Sequence, residues 1–342
     1  MEKKEFVYIH FLKVICMLLV ILLHTTAYAM YNKGADSWEL FSAINLITRI
    51  AVPIFFMCSG AMLLNYNHDI NIKEFYLRRM GKIAIPFIMW SIIYEVNKGI
   101  HGSEYNIIYD VITNNVCYHM WFVYSVIMLY FITPMIKVNC KNGTHGKKIL
   151  LFVIAFYGFN ALLHYLQIAN VFNFPLSIAL TFFMAGCIIH NYDTFDIDTT
   201  KSMCIVLLCY IANFIMFILD NRLSDGLNEF WLGNDSVFVI VSSYLIYHIF
   251  KKYEEMLKCK MLNTRVYNVI KHISKISYSC YLLHALVLSY LYYWFAKGDY
   301  YNSEYPIAFC IGVFFLCSFS TVSICSLMYR IPIVKKLFIK GI

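Results

Sequence analysis

Apolar runs long enough to cross a membrane recur along the whole chain, and short polar segments separate them. A helix needs about 20 mostly apolar residues to span the hydrocarbon core of a bilayer. The pattern therefore predicts an all-α, polytopic membrane protein of about ten transmembrane helices, with residues 1–342 forming a single integral membrane domain. The predicted spans, with boundaries good to a few residues, are 8–29, 40–64, 82–98, 117–136, 149–167, 173–190, 202–220, 234–250, 274–296 and 306–329.

The composition indicates the same class of protein. Hydrophobic residues make up 61% of the chain and charged residues 14%, whereas a soluble domain carries about 25% charged residues. A water-soluble fold could not hide this much apolar surface, because even large domains keep a polar exterior. We therefore expect lipid to be the solvent for most of the chain.

The placement of the basic residues predicts the orientation in the membrane. If the N-terminus is cytoplasmic, 23 of the 28 Lys and Arg residues fall on the cytoplasmic side and four fall outside. Cytoplasmic loops carry an excess of Lys and Arg, so both termini are predicted to be cytoplasmic, in a multi-pass protein of the plasma or inner membrane. The net charge of +8 does not indicate nucleic-acid binding, because the cations form short clusters rather than a stripe along one element.

The twelve cysteines do not predict a metal site. None of them belongs to a CxxC pair, and most lie inside apolar runs, where a cysteine acts as a small hydrophobic residue. A zinc site would need clustered ligands at fixed spacing. We therefore expect neither a bound metal nor disulfides.

Two ionisable residues in the first span are candidate functional residues, because such side chains are costly inside a membrane. Lys13 and His24 are eleven residues apart, which is three helical turns plus about 20°, so they share one face about 16 Å apart along the axis. The alternative is a lysine that extends to the membrane surface and a histidine that hydrogen-bonds a neighbouring helix.

Further cations lie in and after the second span. Arg49 must face a cavity or a partner, and Pro53 favours a kink close by. Three cations lie close together at the start of the next helix: Arg78, Arg79 and Lys82. Paired cations at such a place suit the phosphates of a nucleotide-linked donor. The alternative for Arg49 and Pro53 is helix packing around the proline. The alternative for the three later cations is a simple positively charged membrane anchor.

Aromatic and histidine side chains mark two later spans. His119 and Trp121 open the fourth span near the outer interface, and Tyr281 and His284 share a face of the ninth because they are three residues apart. Trp and Tyr rings form stacking platforms for sugars, although aromatic belts at membrane interfaces are also common.

Five segments match, in order and over essentially the whole chain, the motifs of one family. The first span has a cation, ten residues and a histidine in LKVICMLLVILLH, and the second has R-x-x-V-P-x-F-F-x-x-S-G. The chain therefore resembles the acyltransferase 3 family of bacterial membrane O-acyltransferases. The remaining matches are R-R-x-x-R at Arg78, Arg79 and Lys82, W-F-x-Y at Trp121–Tyr124, and S-Y-x-x-Y-L-x-H at Ser277–His284.

The resemblance implies transfer of an acyl group, usually acetyl, from cytoplasmic acetyl-CoA to a hydroxyl on a cell-surface glycan or lipid-linked acceptor. Acyl-CoA is then a co-substrate, and no cofactor stays bound. His24 would act as the general base or carry the acyl group itself. Lys13, Arg78, Arg79 and Lys82 would bind the donor, and the possible acceptor or oxyanion contacts are Arg49, His119, Trp121, Tyr281 and His284.

Two departures from the family pattern bear on donor binding. Lys13 and Lys82 stand where the family has arginine, and a lysine is a point charge that cannot form a bidentate contact. The alternative function is a transporter or exporter of a polysaccharide or small polar solute, since intramembrane charges and helix-interrupting prolines suit transport as well. Consumption of acyl-CoA would distinguish the two.

Overall fold

The computed structural model describes residues 5–64, 72–104, 106–140, 175–191, 197–224, 226–296 and 305–340. Within these ranges the chain forms helices and no strands, which confirms the predicted all-α class. The helices are α1 Val7–Met30, α2 Trp38–Thr48, α3 Ala51–Leu64, α4 Ile72–Phe75, α5 Gly81–Ile100, α6 Ile107–Thr113, α7 Trp121–Cys140, α8 Pro175–Asn191, α9 Thr199–Leu223, α10 Val237–Lys252, α11 Glu254–Met261, α12 Arg265–Leu291, α13 Pro306–Arg330 and α14 Pro332–Lys335. Single π-helical turns follow α4, α12 and α14 at Tyr76–Met80, Tyr292–Ala296 and Lys336–Lys340.

In the part of the chain that the structure describes, five helical segments are long and apolar enough to cross a membrane. Two shorter apolar helices, Trp121–Pro134 and Ile178–Asn191, accompany them. The predicted span 149–167 lies outside the described residues, so the count of about ten spans and the orientation stay predictions. The five segments are Val7–Met30, Trp38–Leu64, Lys73–Ile100, Thr199–Leu223 and Pro306–Arg330.

The second predicted span contains the expected interruption. It consists of α2 and α3, which are separated by a turn at Arg49 and Ile50. Pro53 has no N–H to donate, and its ring would clash with the carbonyl of Arg49 in a continuous helix. Helix α2 therefore ends at Thr48, five residues before the proline, and the Arg49 side chain projects from the break.

One predicted polar segment proves to be largely helical. The interval between the predicted spans 234–250 and 274–296 contains α11 and the beginning of α12, which starts at Arg265 rather than at residue 274. The side chain of Thr264 caps this helix by accepting a hydrogen bond from the Tyr267 N–H, at 3.1 Å. Hydropathy missed the first turns because they are polar, although they continue the same helix.

Helix α1 is central to the packing. It contacts α2, α3, α12 and α13, and its Leu12 and Cys16 are completely buried. Its first backbone N–H groups lack intrahelical acceptors. The buried carboxylate of Glu254 accepts from the N–H groups of Val7 and Tyr8, at 3.0 and 2.7 Å, and its negative charge complements the helix dipole. This contact fixes the N-terminal end of α1.

Helices α3 and α8 approach each other so closely that their backbones touch. A Cβ atom at Gly60 would overlap the backbone carbonyl of Phe183, and one at Gly186 would overlap the carbonyl of Met57. Small residues permit this approach between membrane helices. The two glycines are therefore required by packing rather than by backbone conformation.

We expect Gly60→Ala and Gly186→Ala each to destabilise the protein by about 1–3 kcal/mol, the usual cost of overpacking. The matched control is Gly312→Ala in α13, where a Cβ meets no atom within 4 Å. There, loss of a helical glycine should leave stability unchanged or raise it. Thermal unfolding of the purified protein in detergent measures the difference. Equal melting temperatures for Gly60→Ala and Gly312→Ala would contradict the close approach.

The predicted orientation can be tested at Cys259, which is exposed on α11. With both termini cytoplasmic, a membrane-impermeant maleimide should label a single-cysteine Cys259 variant only after the cells are permeabilised. The exposed Ser103 lies on the opposite side in this topology, so Ser103→Cys in a cysteine-free background should be labelled in intact cells. The reverse labelling pattern would show that the orientation is wrong.

Candidate functional site

A cavity of about 650 Å³ lies among α1, α2, α12 and the segments before α7 and α10. Its wall is mainly aromatic and aliphatic, with a few polar side chains, which is the usual lining of a ligand site. The aromatic members are Tyr28, Tyr31, Tyr118, Trp121, Tyr281 and Tyr292, and the polar members are His24, Arg49, His119, Glu229, Asn234 and Ser289.

Three histidines from different parts of the sequence meet at one side of this cavity. The ring centroids of His24 and His284 are 5.2 Å apart, those of His119 and His284 are 4.9 Å apart, and those of His24 and His119 are 6.3 Å apart. His24 comes from α1, His119 from the turn before α7, and His284 from α12. His24 and His119 line the cavity, whereas His284 is completely buried behind them.

The tautomer of His284 follows from its hydrogen bond. Its Nδ1 lies 2.5 Å from the backbone carbonyl oxygen of Tyr281. A carbonyl oxygen only accepts hydrogen bonds, so Nδ1 carries the proton, and Nε2 of the neutral ring keeps a lone pair. This Nε2 atom is buried and has no hydrogen-bond partner among the described residues.

His119 is a buried residue of the cavity wall. Its residue is 1% exposed, and neither ring nitrogen has a hydrogen-bond partner in the described part of the chain. The Tyr281 hydroxyl donates a hydrogen bond to the backbone carbonyl oxygen of His119. The ring centroids of Tyr281 and Tyr94 lie 5.3 and 5.8 Å from the His119 centroid. Buried polar groups usually have partners, so an imidazole left without one beside a cavity suits a ligand contact.

Arg49 is oriented into the cavity by Asn45. The Arg49 Nε and Nη2 atoms donate to the Asn45 side-chain oxygen at 2.9 and 2.5 Å. The Asn45 amide in turn donates to the Leu23 carbonyl and to the Thr26 hydroxyl, both at 2.9 Å. Asn45 therefore links the Arg49 guanidinium to α1 at Leu23 and Thr26, close to His24 in the sequence.

Glu229 is a cavity residue that the sequence analysis missed. It lies in the segment before α10, and its carboxylate accepts a hydrogen bond from the Tyr31 hydroxyl at 3.2 Å. An acid in a short polar segment carries no pattern that predicts such a position. The cavity wall thus presents a carboxylate as well as the Arg49 guanidinium.

The structure separates the predicted site residues into two groups. His24, Arg49, His119, Trp121 and Tyr281 line the cavity, and His284 lies directly behind His24. The four residues predicted to bind the donor do not line it. They are Lys13, Arg78, Arg79 and Lys82.

The predicted donor residues lie nearer the other end of the spans. The Lys13 Nζ atom donates to the Met62 sulfur at 3.4 Å, and buried Cys16 and Met17 separate Lys13 from the cavity. Arg78 forms an exposed ion pair with Glu74 at 3.1 Å. Arg79 belongs to the π-helical turn, and Lys82 belongs to the start of α5. No group of three or more His, Cys, Asp or Glu side chains in the described ranges could hold a metal ion.

Two curated relatives are similar over most of their length. A protein of Staphylococcus aureus (strain MSSA476) named "Probable poly-beta-1,6-N-acetyl-D-glucosamine export protein" is 23% identical over 334 residues, covering 92% of this chain and 91% of the relative. A Staphylococcus epidermidis protein of the same name is 22% identical over 307 residues, covering 85% and 83%. No solved structure matches this chain.

A family model described as an acyltransferase domain matches residues 6–330 of the chain. The matched region begins at the residue immediately before α1 and ends at the last residue of α13, so it includes all the cavity residues and all the predicted donor residues. The chain therefore belongs to the acyltransferase 3 family.

Proposed function

We propose that this protein is a multi-pass O-acyltransferase of the cell membrane. It transfers an acyl group, with acetyl as the first candidate, from cytoplasmic acyl-CoA to a hydroxyl of a cell-surface glycan or lipid-linked acceptor. The observation that carries the proposal is the position of His24. It lies in the wall of an aromatic-lined cavity, with two further histidines within 6.3 Å of its ring centroid.

The reaction needs a base for the acceptor hydroxyl. The hydroxyl oxygen forms a bond to the thioester carbonyl carbon, and a neutral His24 takes the hydroxyl proton. The carbon–sulfur bond then breaks, and the proton passes to the sulfur of CoA as it leaves. The products are the ester and free CoA, so atoms and charges balance without a metal or redox partner.

Two cavity residues suit the charge that develops on the acyl oxygen. A protonated His119 ring nitrogen or the Arg49 guanidinium can donate to the oxyanion of the tetrahedral intermediate. Both are held in place before substrate binds, His119 by its packing and Arg49 by Asn45. Donors fixed in advance stabilise a transition state without reorganising during the reaction.

The remaining wall suits a sugar acceptor. The Tyr28, Tyr118, Trp121 and Tyr292 rings line the cavity, and flat aromatic faces can stack against sugar rings. Glu229 and Asn234 add acceptors and donors for hydroxyl groups. An apolar, aromatic wall with a few polar groups combines affinity with orientation.

The proposed donor residues lie away from the cavity, so the donor has to reach His24 between helices. Cys16 and Met17, which lie between Lys13 and the cavity along α1, are buried in this structure. Donor binding therefore includes a movement of the surrounding helices, as closure or opening steps do in many enzymes. The cations at Arg78, Arg79 and Lys82 would hold the CoA phosphates during that step.

His24→Gln should lower acyl transfer by about 10²-fold or more, because glutamine keeps a hydrogen-bonding amide but cannot take up the proton. The measurement is transfer of labelled acetyl from acetyl-CoA by purified protein to β-1,6-linked N-acetylglucosamine oligosaccharides and other surface glycans. His272→Phe is the control, because His272 lies on α12 away from the cavity and bonds Ser326 at 3.1 Å. Near-normal turnover in His24→Gln would leave His24 as a structural residue.

Arg79→Glu should raise the KM for acetyl-CoA far more than the KM for the acceptor. Loss of one charge-assisted contact costs about 1.5–3 kcal/mol, or roughly 10- to 150-fold in affinity. Lys201→Glu is the matched control, because Lys201 is an exposed cation at the start of α9, on the same predicted side of the membrane. If the donor KM changed equally in both variants, the effect would reflect overall charge, and the donor role of Arg79 would be wrong.

A second candidate function is export of a polysaccharide. The names of the two staphylococcal relatives favour it, and a cavity lined by aromatic rings suits passage of a sugar chain as well as its modification. The two functions differ in whether acyl-CoA is consumed. Two results together would support export instead. The native protein would consume no acetyl-CoA, and glycan export would persist in His24→Gln.

A further inference from the structure

We propose that His284 is a positioning residue for His24, and this inference rests on the proposed function. The Nε2 atom of His284 accepts a hydrogen bond from the ring N–H of His24. The bond determines which His24 nitrogen faces the substrate, and it stabilises the His24 imidazolium that forms during acyl transfer. His284 itself touches neither donor nor acceptor.

The first step of the argument is that His284 can act only as an acceptor toward its neighbours. Its Nδ1–H is committed to the Tyr281 carbonyl oxygen at 2.5 Å, so its Nε2 presents a lone pair. Nε2 is buried without a partner among the residues that the structure describes. A buried acceptor without a donor is costly, so a neighbouring N–H should occupy this position.

The second step identifies the donor. Two imidazoles joined by an N–H···N hydrogen bond of about 3 Å have ring centroids about 5 Å apart, whatever the angle between their planes, because the rings can turn about the bond. The His24 and His284 centroids are 5.2 Å apart, and their planes are inclined by 31°. His119 is also within reach, at 4.9 Å. We assign His24 as the donor because it lines the cavity and is the ring that the proposed reaction protonates, so a fixed tautomer matters there.

The third step concerns rigidity, since a positioning residue must itself be held. The carbonyl oxygen of His284 accepts from the Cys317 thiol at 3.6 Å. The Tyr94 hydroxyl donates to the Leu282 carbonyl at 2.9 Å and accepts from the Leu286 N–H at 3.0 Å. These contacts brace α12 on both sides of His284, so the direction of its ring is fixed by α5 and α13.

The chemical consequence is a defined tautomer at the base. With one His24 nitrogen donating to His284, the other keeps its lone pair for the acceptor hydroxyl. When His24 takes the proton it becomes a cation, and the bond to the neutral His284 spreads that charge in a site of low dielectric constant. The proton then passes to the leaving sulfur of CoA, and His284 ends unchanged. The role resembles that of the carboxylate that orients histidine in a Ser-His-Asp triad.

The first test replaces His284 by phenylalanine and by glutamine, with acetyl-CoA and β-1,6-linked N-acetylglucosamine oligosaccharide as the probes. His284→Phe keeps a ring but removes the acceptor, so kcat should fall roughly 10²-fold or more, as it does for a mis-oriented triad histidine. Both KM values should change little. His284→Gln should recover much of kcat, because its side-chain oxygen can accept from His24. Raised KM values with an unchanged kcat in His284→Phe would overturn the inference.

The second test asks whether His284 acts through His24. In a His24→Gln background, His284→Phe should cause no further loss of transfer, because residues that act as one unit are not additive. A further loss as large as that in the native background would show that His284 acts independently, and the inference would be wrong.

The third test does not depend on acyl transfer. Nitrogen-15 NMR of histidine-labelled protein in lipid nanodiscs reports which ring nitrogen is protonated, and comparison with His24→Gln identifies the His24 signals. His24 should show one tautomer in the native protein and a mixture in His284→Phe, but not in His272→Phe. An unchanged His24 tautomer in His284→Phe would overturn the inference. Absence of acyl transfer by a native protein with the expected tautomers would instead overturn the proposed function.

Discussion

The scarcity of water inside a bilayer is the constraint on which the rest of this structure depends. Every backbone polar group has to be satisfied within the protein, and every ionisable side chain needs a partner or a cavity. The buried Glu254 carboxylate meets this demand at the start of α1, and Asn45 meets it for Arg49 at the break after α2. The same constraint makes the ring nitrogens of His119 and His284 that have no hydrogen-bond partner among the described residues informative, because such groups in a membrane protein suit a ligand or a reaction.

Much of the fold could be predicted because the signals were local. The first span was predicted at 8–29 and is helical over Val7–Met30, and Pro53 predicted the interruption at Arg49. The beginning of α12 could not be predicted from hydropathy, because its first turns are polar and a capping threonine fixes the boundary. The close approach of α3 and α8 could not be predicted either, since an isolated glycine such as Gly60 does not indicate which helix will contact it.

The candidate site was predicted as separate residues rather than as a site. His24, His119 and His284 each stood out as polar residues in or beside apolar runs, but their convergence depends on how three distant segments pack. Sequence spacing placed Lys13 and His24 on one face of a helix, and the structure adds that the residues between them on that face are almost completely buried. No sequence pattern indicated that Glu229 would line the cavity, because its position depends on the contact with Tyr31.

The separation between the cations and the histidines limits how any acyl donor can be used. A helix is stiff, so α1 keeps Lys13 and His24 about 16 Å apart along its axis whatever the neighbouring helices do. Glu254 anchors the N-terminal end of α1, and the Asn45 contacts with Leu23 and Thr26 hold its other end against α2. Movement that opens a path to His24 therefore has to come from the helices around α1.

The extended pantetheine arm of CoA has the right shape for a path along one helix face, since the CoA phosphates can stay with the cations while the thioester reaches the histidines. An exporter would need no such division between a cationic end and a histidine cluster, and this asymmetry favours acyl transfer.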